Sequence, residues 1–444
     1  MFEFERDRQT LGRECDIIRS ATAPTLVIIE DYHRRYDIIE KLMLGGNPFI
    51  RFVLTSRTPI HLMEWSRLTS AFPVNAVSEI AIDQLKDDEL VKLDKIFEQF
   101  GLLGPAAARN TPERLYRLKN NLKGEFRNIL LDLLESPNIR RRISTILEEI
   151  AGKPGIVEII IASLALRHIG ASTNVDLLAE LSGVSRLNRA LLARDPNILE
   201  FVDVGHTDIV ATSAIFATHA LRSFWSSGRV VKLLSDMLQR ALVLRYDGKE
   251  FGTIARDLMR YSKIDQLIPH ENHDNQLIEY YEAIKNFEGC ANNQFFWLQY
   301  AIARLIPKHY DLARRYLETA VALASKIPGF NTYQLDNTKA RLLLMESIDN
   351  TDSDVAFTAF LDAHRILMVQ MGQGTHGYYP YRVAALYHQF WSAHGRLWEL
   401  DRKRILIAAA EAVQAKLKTV DRHLLNHADV RRCGAAMEAV LGGK

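Results

Sequence analysis

The chain has 444 residues, 48% hydrophobic and 25% charged, which gives it ample apolar surface for buried cores and excludes a largely disordered protein. Lys and Arg number 56 against 54 Asp and Glu, a net charge of +2, which weighs against nucleic acid as a partner. The three cysteines, Cys15, Cys290 and Cys433, are odd in number and far apart, so they make neither a disulfide framework nor a zinc spacing. The longest apolar run, Ile156 to Leu166, is broken by Glu158 and falls short of the roughly 20 residues of a bilayer span. The first residues are acidic and polar where a signal peptide would be basic and then apolar. These features predict a cytoplasmic protein with no membrane partner, and the length predicts about three domains.

The N-terminal hundred residues read as α/β. Thr25 to Ile29 is a short β-branched apolar run without alternation, as expected of a parallel strand buried on both faces. A helix is predicted from Arg34 to Leu44, stopped by Gly45-Gly46-Asn47-Pro48. Arg51 to Thr55 repeats the strand pattern, and Val77 to Ile82 is a weaker third strand. From Asp83 onward the pattern is helical: Lys86 to Phe100 ending at Gly101, then Pro112 to Asn120 and Glu125 to Leu134. Gly152-Lys153-Pro154-Gly155 makes a break. Beyond it, helices at Ile156 to His168, Asn174 to Leu181 and Ser185 to Ala193 precede two strands flanking Gly205-His206-Thr207, the order of a winged helix. From about 230 the chain reads as a run of helices whose adjacent pairs recur at about 35 to 45 residues, which predicts stacked helix hairpins. A plain helical bundle is the other reading of this region. The fold class is therefore mainly α, with a partial α/β region at the start.

Chemistry concentrates at the ends of the two strands. Leu26-Val27-Ile28-Ile29 ends in Glu30 and Asp31, the pattern in which a buried strand delivers two acids at its C-terminal end. In a nucleotide site one acid holds Mg²⁺ and the other polarises the attacking water. The competing reading is that both acids open the next helix, where negative charge is favoured. The second strand ends in Thr55-Ser56-Arg57, where a hydroxyl and a guanidinium can reach a γ-phosphate. Trp297 and Tyr300 have helical spacing and read as core. His270-Glu271-Asn272-His273-Asp274 follows Pro269 and reads as a solvated linker rather than a metal cluster.

In this order, the strand with Glu30 and Asp31, the strand with Thr55 and Arg57, the helical stretch, the winged-helix pattern and the helical repeats resemble the STAND class of signalling NTPases. Phe296 to Arg304 and Phe330 to Asn337 are similar to the repeat region of bacterial members, and Tyr310 to Ala324 has the spacing of a tetratricopeptide helix. The resemblance implies a partial nucleotide-binding region at 1–104, a helical lid at 105–152, a winged-helix domain at 153–229 and a TPR-like domain at 230–444. It implies ATP or ADP with Mg²⁺ as ligands, Glu30 and Asp31 as catalytic and metal-holding acids, and Thr55, Arg57 and His206 at the nucleotide. His219 is the other histidine in reach of this role; otherwise His206 is a turn residue and His219 a helix-surface residue. The partners implied are a protein ligand on the repeats and further copies of the chain, in a sensor of the anti-phage kind.

The sequence departs from the class in having no GxxxxGK[ST] loop. ATPase activity therefore requires a P-loop supplied upstream or by a partner chain; a degenerate, nucleotide-free scaffold is the further reading. A third function class is a winged-helix transcription regulator using Arg186 and Arg189, for which these two and Arg194 are a thin footprint.

Overall fold

The structure, a computed structural model, describes residues 8–442 except 31, 57, 73–75, 81, 104–108, 154, 185–188, 206–207, 212–213, 373–376, 396–397, 421 and 426. It is mainly α-helical and divides into two compact units, one of residues up to 80 and from 367 onward, the other of residues 81–366.

In the first unit β1 (Thr25–Ile29) and β2 (Ile50–Leu54) pair in parallel, joined by a crossover through the helix Tyr36–Met43. The crossover turns back at Gly45 and Gly46, both at positive φ, a conformation glycine adopts without a Cβ penalty. Asn47 then donates from its side-chain amide to the carbonyls of Arg19 and Ala21, each at 2.8 Å, and so ties the end of the helix Arg8–Arg19 to the start of β2. Val27 and Ile29 bury themselves with Ile39 and Leu42 of the crossover helix, Cys15 of the first helix and Leu68 of the helix Thr58–Ala71. The sequence predicts strands buried on both faces, but Leu26 is 59% and Ile28 61% exposed. The crossover helix covers one face of a two-stranded sheet, and the other stays open. The same unit holds the helices Tyr379–Ala384, Tyr387–His394 and Leu400–Leu417, all packed against Ala428–Gly442.

The expected third strand at Val77 to Ile82, at the end of the first stretch of the first unit and the start of the second unit, is not formed among the described residues. Ile80 is 82% exposed, so no burial fixes a strand there, and pairing is confined to one bridge between Gln84 and Glu125. The second unit opens with the helix Asp87–Gln99, with Glu89 accepting from the backbone N–H of Lys86 at 2.7 Å. Asp94 on that helix receives two hydrogen bonds at 2.8 Å from the buried guanidinium of Arg114 on the helix Thr111–Tyr116. Helices Phe126–Leu134 and Pro137–Ala151 lead to Ile156–Ile169, which is apolar all round and buried almost throughout. Val175–Ser182, the short helices Arg189–Leu192 and Pro196–Leu199, and an antiparallel hairpin of β3 (Val202–Val204) and β4 (Ile209–Ala211) complete this region. Ser163 donates to the carbonyl of Ile209 at 3.0 Å, holding the hairpin on the buried helix. After Ala214–Ser223 come the longer helices Ser227–Val243, Lys249–Met259, His273–Ile284, Gln294–Leu305, Tyr310–Ala324, Tyr333–Asp349 and Ser353–Gly372, the last running across the boundary of the unit. Tyr280 and Tyr281 donate to the carbonyls of Leu258 and Met259, each at 2.9 Å, satisfying the C-terminal end of the helix Lys249–Met259. Tyr300 is buried, as its helical spacing predicts, whereas Trp297 is only half-buried, stacked on Tyr300 and tilted against Tyr316.

Candidate functional site

The candidate site is the C-terminal edge of the β1–β2 pair. Register places Ile29 opposite Leu54, and pairing runs past the strands: Thr55 donates to the carbonyl of Ile29 at 3.0 Å, and Tyr32 donates to that of Thr55 at 3.1 Å. Glu30 and Thr55 are thereby held side by side at the strand ends, both exposed. The two-residue period of a strand puts Leu26, Ile28 and Glu30 on the same face as Arg51, Val53 and Thr55. This is the open face. An apolar parallel surface thus ends in one acid and one hydroxyl.

Of the residues expected at the site, Asp31, Arg57 and His206 lie outside the described residues, so Glu30 and Thr55 are the expected pair whose positions are known. Arg186 is likewise outside, and the described part of the expected recognition helix is the four-residue Arg189–Leu192. Among the described residues no group of three His, Cys, Asp or Glu converges on a point. Mg²⁺ at a phosphate takes one or two carboxylates and completes its shell with water and phosphate oxygens. Glu30 supplies one such carboxylate at the strand end.

His219 is a correction. It was expected on a helix surface, but it is buried on the helix Ala214–Ser223, edge-on to Phe224, with Nδ1 3.6 Å from Glu135. Burial lowers its pKa below the usual histidine value, against the pull of Glu135.

The sequence does not reveal the support behind the strand ends. Tyr32, 1% exposed, places its hydroxyl 2.9 Å from Nδ1 of His61, and Nε2 of His61 lies 3.0 Å from Glu79. Burial, followed by Tyr36 and Glu64, raises the Tyr32 pKa well above the ordinary phenol value, so it keeps its proton. In the neutral imidazole Nδ1 then accepts and Nε2–H donates to Glu79. The chain docks the helix Thr58–Ala71 onto the residues just after Glu30. The signal was weak: that helix has little amphipathic contrast, and Glu79 stands eighteen residues from its partner.

The three cysteines are free and buried, and burial pushes the Cys290 and Cys433 thiols up to about 12. They are poor nucleophiles. No protein-family model, curated protein or solved structure matches this chain.

Proposed function

We propose that this chain is the sensor and regulatory module of a STAND-like switch NTPase that works with a P-loop half lying upstream or in a partner chain. The carrying observation is the open apolar face of the β1–β2 pair, ending in Glu30 and Thr55. Parallel strands are ordinarily covered on both faces, and two strands alone make a marginal sheet. A further layer of α/β structure on that face would bring phosphate-binding backbone to the acid and the hydroxyl.

In this reading Glu30 and Asp31 would hold Mg²⁺ or orient the attacking water, and Thr55 and Arg57 would serve the γ-phosphate. The nucleotide's own contribution is the phosphoryl chemistry. The helices from Ile156 to Leu192 followed by the β3–β4 hairpin fit a winged helix that reports nucleotide state. The helix pairs from Ser227 to Asp349 fit TPR-like repeats that recognise a protein ligand. That ligand must bind the open state more tightly than the closed one for anything to switch. Opening then permits assembly with further copies and activation of an effector, as in anti-phage defence.

The direct test is ATP hydrolysis by this chain together with its P-loop half, compared with Glu30→Gln. Loss of turnover in the variant with nucleotide binding retained supports the reading. Unchanged turnover refutes the role of Glu30.

A further inference from the structure

A cleft of about 770 Å³ in the second unit lies among the helices that follow Ser227. Its walls come from the helix Lys249–Met259, the turn and first residues of Gln294–Leu305, and the turn and first residues of Tyr333–Asp349. The size is that of a ligand cleft, about 300–1,000 Å³. Its chemistry is one-sided. Arg245 and Arg256 line it, and no Asp or Glu does.

The two arginines are presented differently. Arg256 is exposed and forms no ion pair with a described residue; its guanidinium lies 5.0 Å from the centre of the Phe295 ring, which gives it a shelf. Arg245 is placed by Tyr246, whose hydroxyl accepts from it at 3.0 Å, and by the carbonyl of Glu288 at 3.4 Å. Gly289 makes room for it: the φ there is +97°, and a Cβ would stand 2.6 Å from Nη1 of Arg245. The nearest carboxylate, on Glu288, is 3.9 Å away on a side chain that is 98% exposed, so water screens it. The lining also carries the exposed amides Asn292, Asn331 and Gln334. A side-chain amide both donates and accepts, which matches the alternating N–H and C=O groups of an extended backbone.

We propose that this cleft binds an extended acidic segment of a protein ligand, its carboxylates on Arg245 and Arg256 and its backbone on the amides. The proposal rests on the reading of the helical region as a ligand sensor and names the ligand's chemistry. It does not depend on the nucleotide end.

The test is fluorescence anisotropy on the full chain with a fluorescein-labelled peptide, Glu-Leu-Asp-Leu-Glu-Leu, and its Gln/Asn counterpart. The acidic peptide binds, and the amide peptide binds about tenfold or more weakly, as expected for loss of charge-assisted pairs. Arg256→Glu weakens the acidic peptide by a similar factor, and Arg256→Lys by less, because the bidentate fork is lost but not the charge. Gly252→Leu supplies a second variant. Gly252 lines the cleft and a Cβ there meets nothing within 4 Å, so the helix accepts a side chain at this position, and a leucine is expected to fill part of the cleft and weaken the peptide. Circular dichroism confirms that each variant is folded. Glu30→Ala leaves peptide binding intact, which separates this proposal from the nucleotide reading. Equal binding of the two peptides, no binding of either, or Arg256-dependent binding of pyrophosphate without peptide binding overturns it.

Discussion

The Tyr32 hydroxyl and His61 Nδ1 stand 2.9 Å apart, joining the residues after β1 to the helix Thr58–Ala71. Tyr32 is buried, so its removal leaves a ring nitrogen without its partner. Tyr32→Phe is expected to destabilise the protein by about 1–2 kcal/mol in urea titration. Glu79→Gln, at the solvent end of the same chain, is expected to change stability by less than about 0.5 kcal/mol.

Ile28 and Ile29 are sequence neighbours with opposite fates, one on the open face and one in the core. Ile29→Ala is expected to cost about 2–4 kcal/mol, through lost burial and the cavity it leaves. Ile28→Ala is expected to cost about 0.5 kcal/mol or less in the isolated chain. Equal costs would place both faces of the sheet in the core.

Glu282 receives hydrogen bonds from Lys285 at 2.5 Å, from Arg304 at 2.8 Å and from the Tyr300 hydroxyl. Burial alone would raise its pKa, but these donors outweigh it and bring the value down to about 2. The folded value lies below the unfolded one of about 4.3, so the stabilisation is complete above about pH 4.3 and is lost as pH falls towards about 2. Glu282→Gln is expected to lower the thermal midpoint near neutral pH. The gap from the parent protein should narrow as pH falls to about 3, followed by calorimetry across that range.

Gly252 sits inside the helix Lys249–Met259 with open space where a Cβ would go. Gly252→Ala is expected to stabilise the protein by about 0.5–1 kcal/mol, because glycine loses more backbone entropy in a helix than alanine does. Thermal denaturation checks this.

Helices with strong periodicity and clear stops were legible in the sequence. Lys86 to Phe100 became Asp87–Gln99, and Ile156 to His168 became Ile156–Ile169. Both strands of the parallel pair were legible from their β-branched runs. That one face of the pair would be open was not, because an apolar run without alternation carries no mark of which side is covered. The third strand failed because no partner buries Ile80. At the site, Glu30 and Thr55 were legible as strand-end residues. The His61–Glu79 support was not, since it comes from tertiary contact between segments far apart in sequence.

The central claim, that the end of the β1–β2 pair is one half of a nucleotide site, is tested most directly by calorimetric titration of ATP and ADP with Mg²⁺. The titration is made into this chain alone and into this chain with its P-loop half, supplied upstream in the native reading frame or as a partner. Binding is expected only when the P-loop half is present, and is expected to be lost on Glu30→Ala. Absence of nucleotide binding in both, or binding indifferent to Glu30→Ala, contradicts the claim.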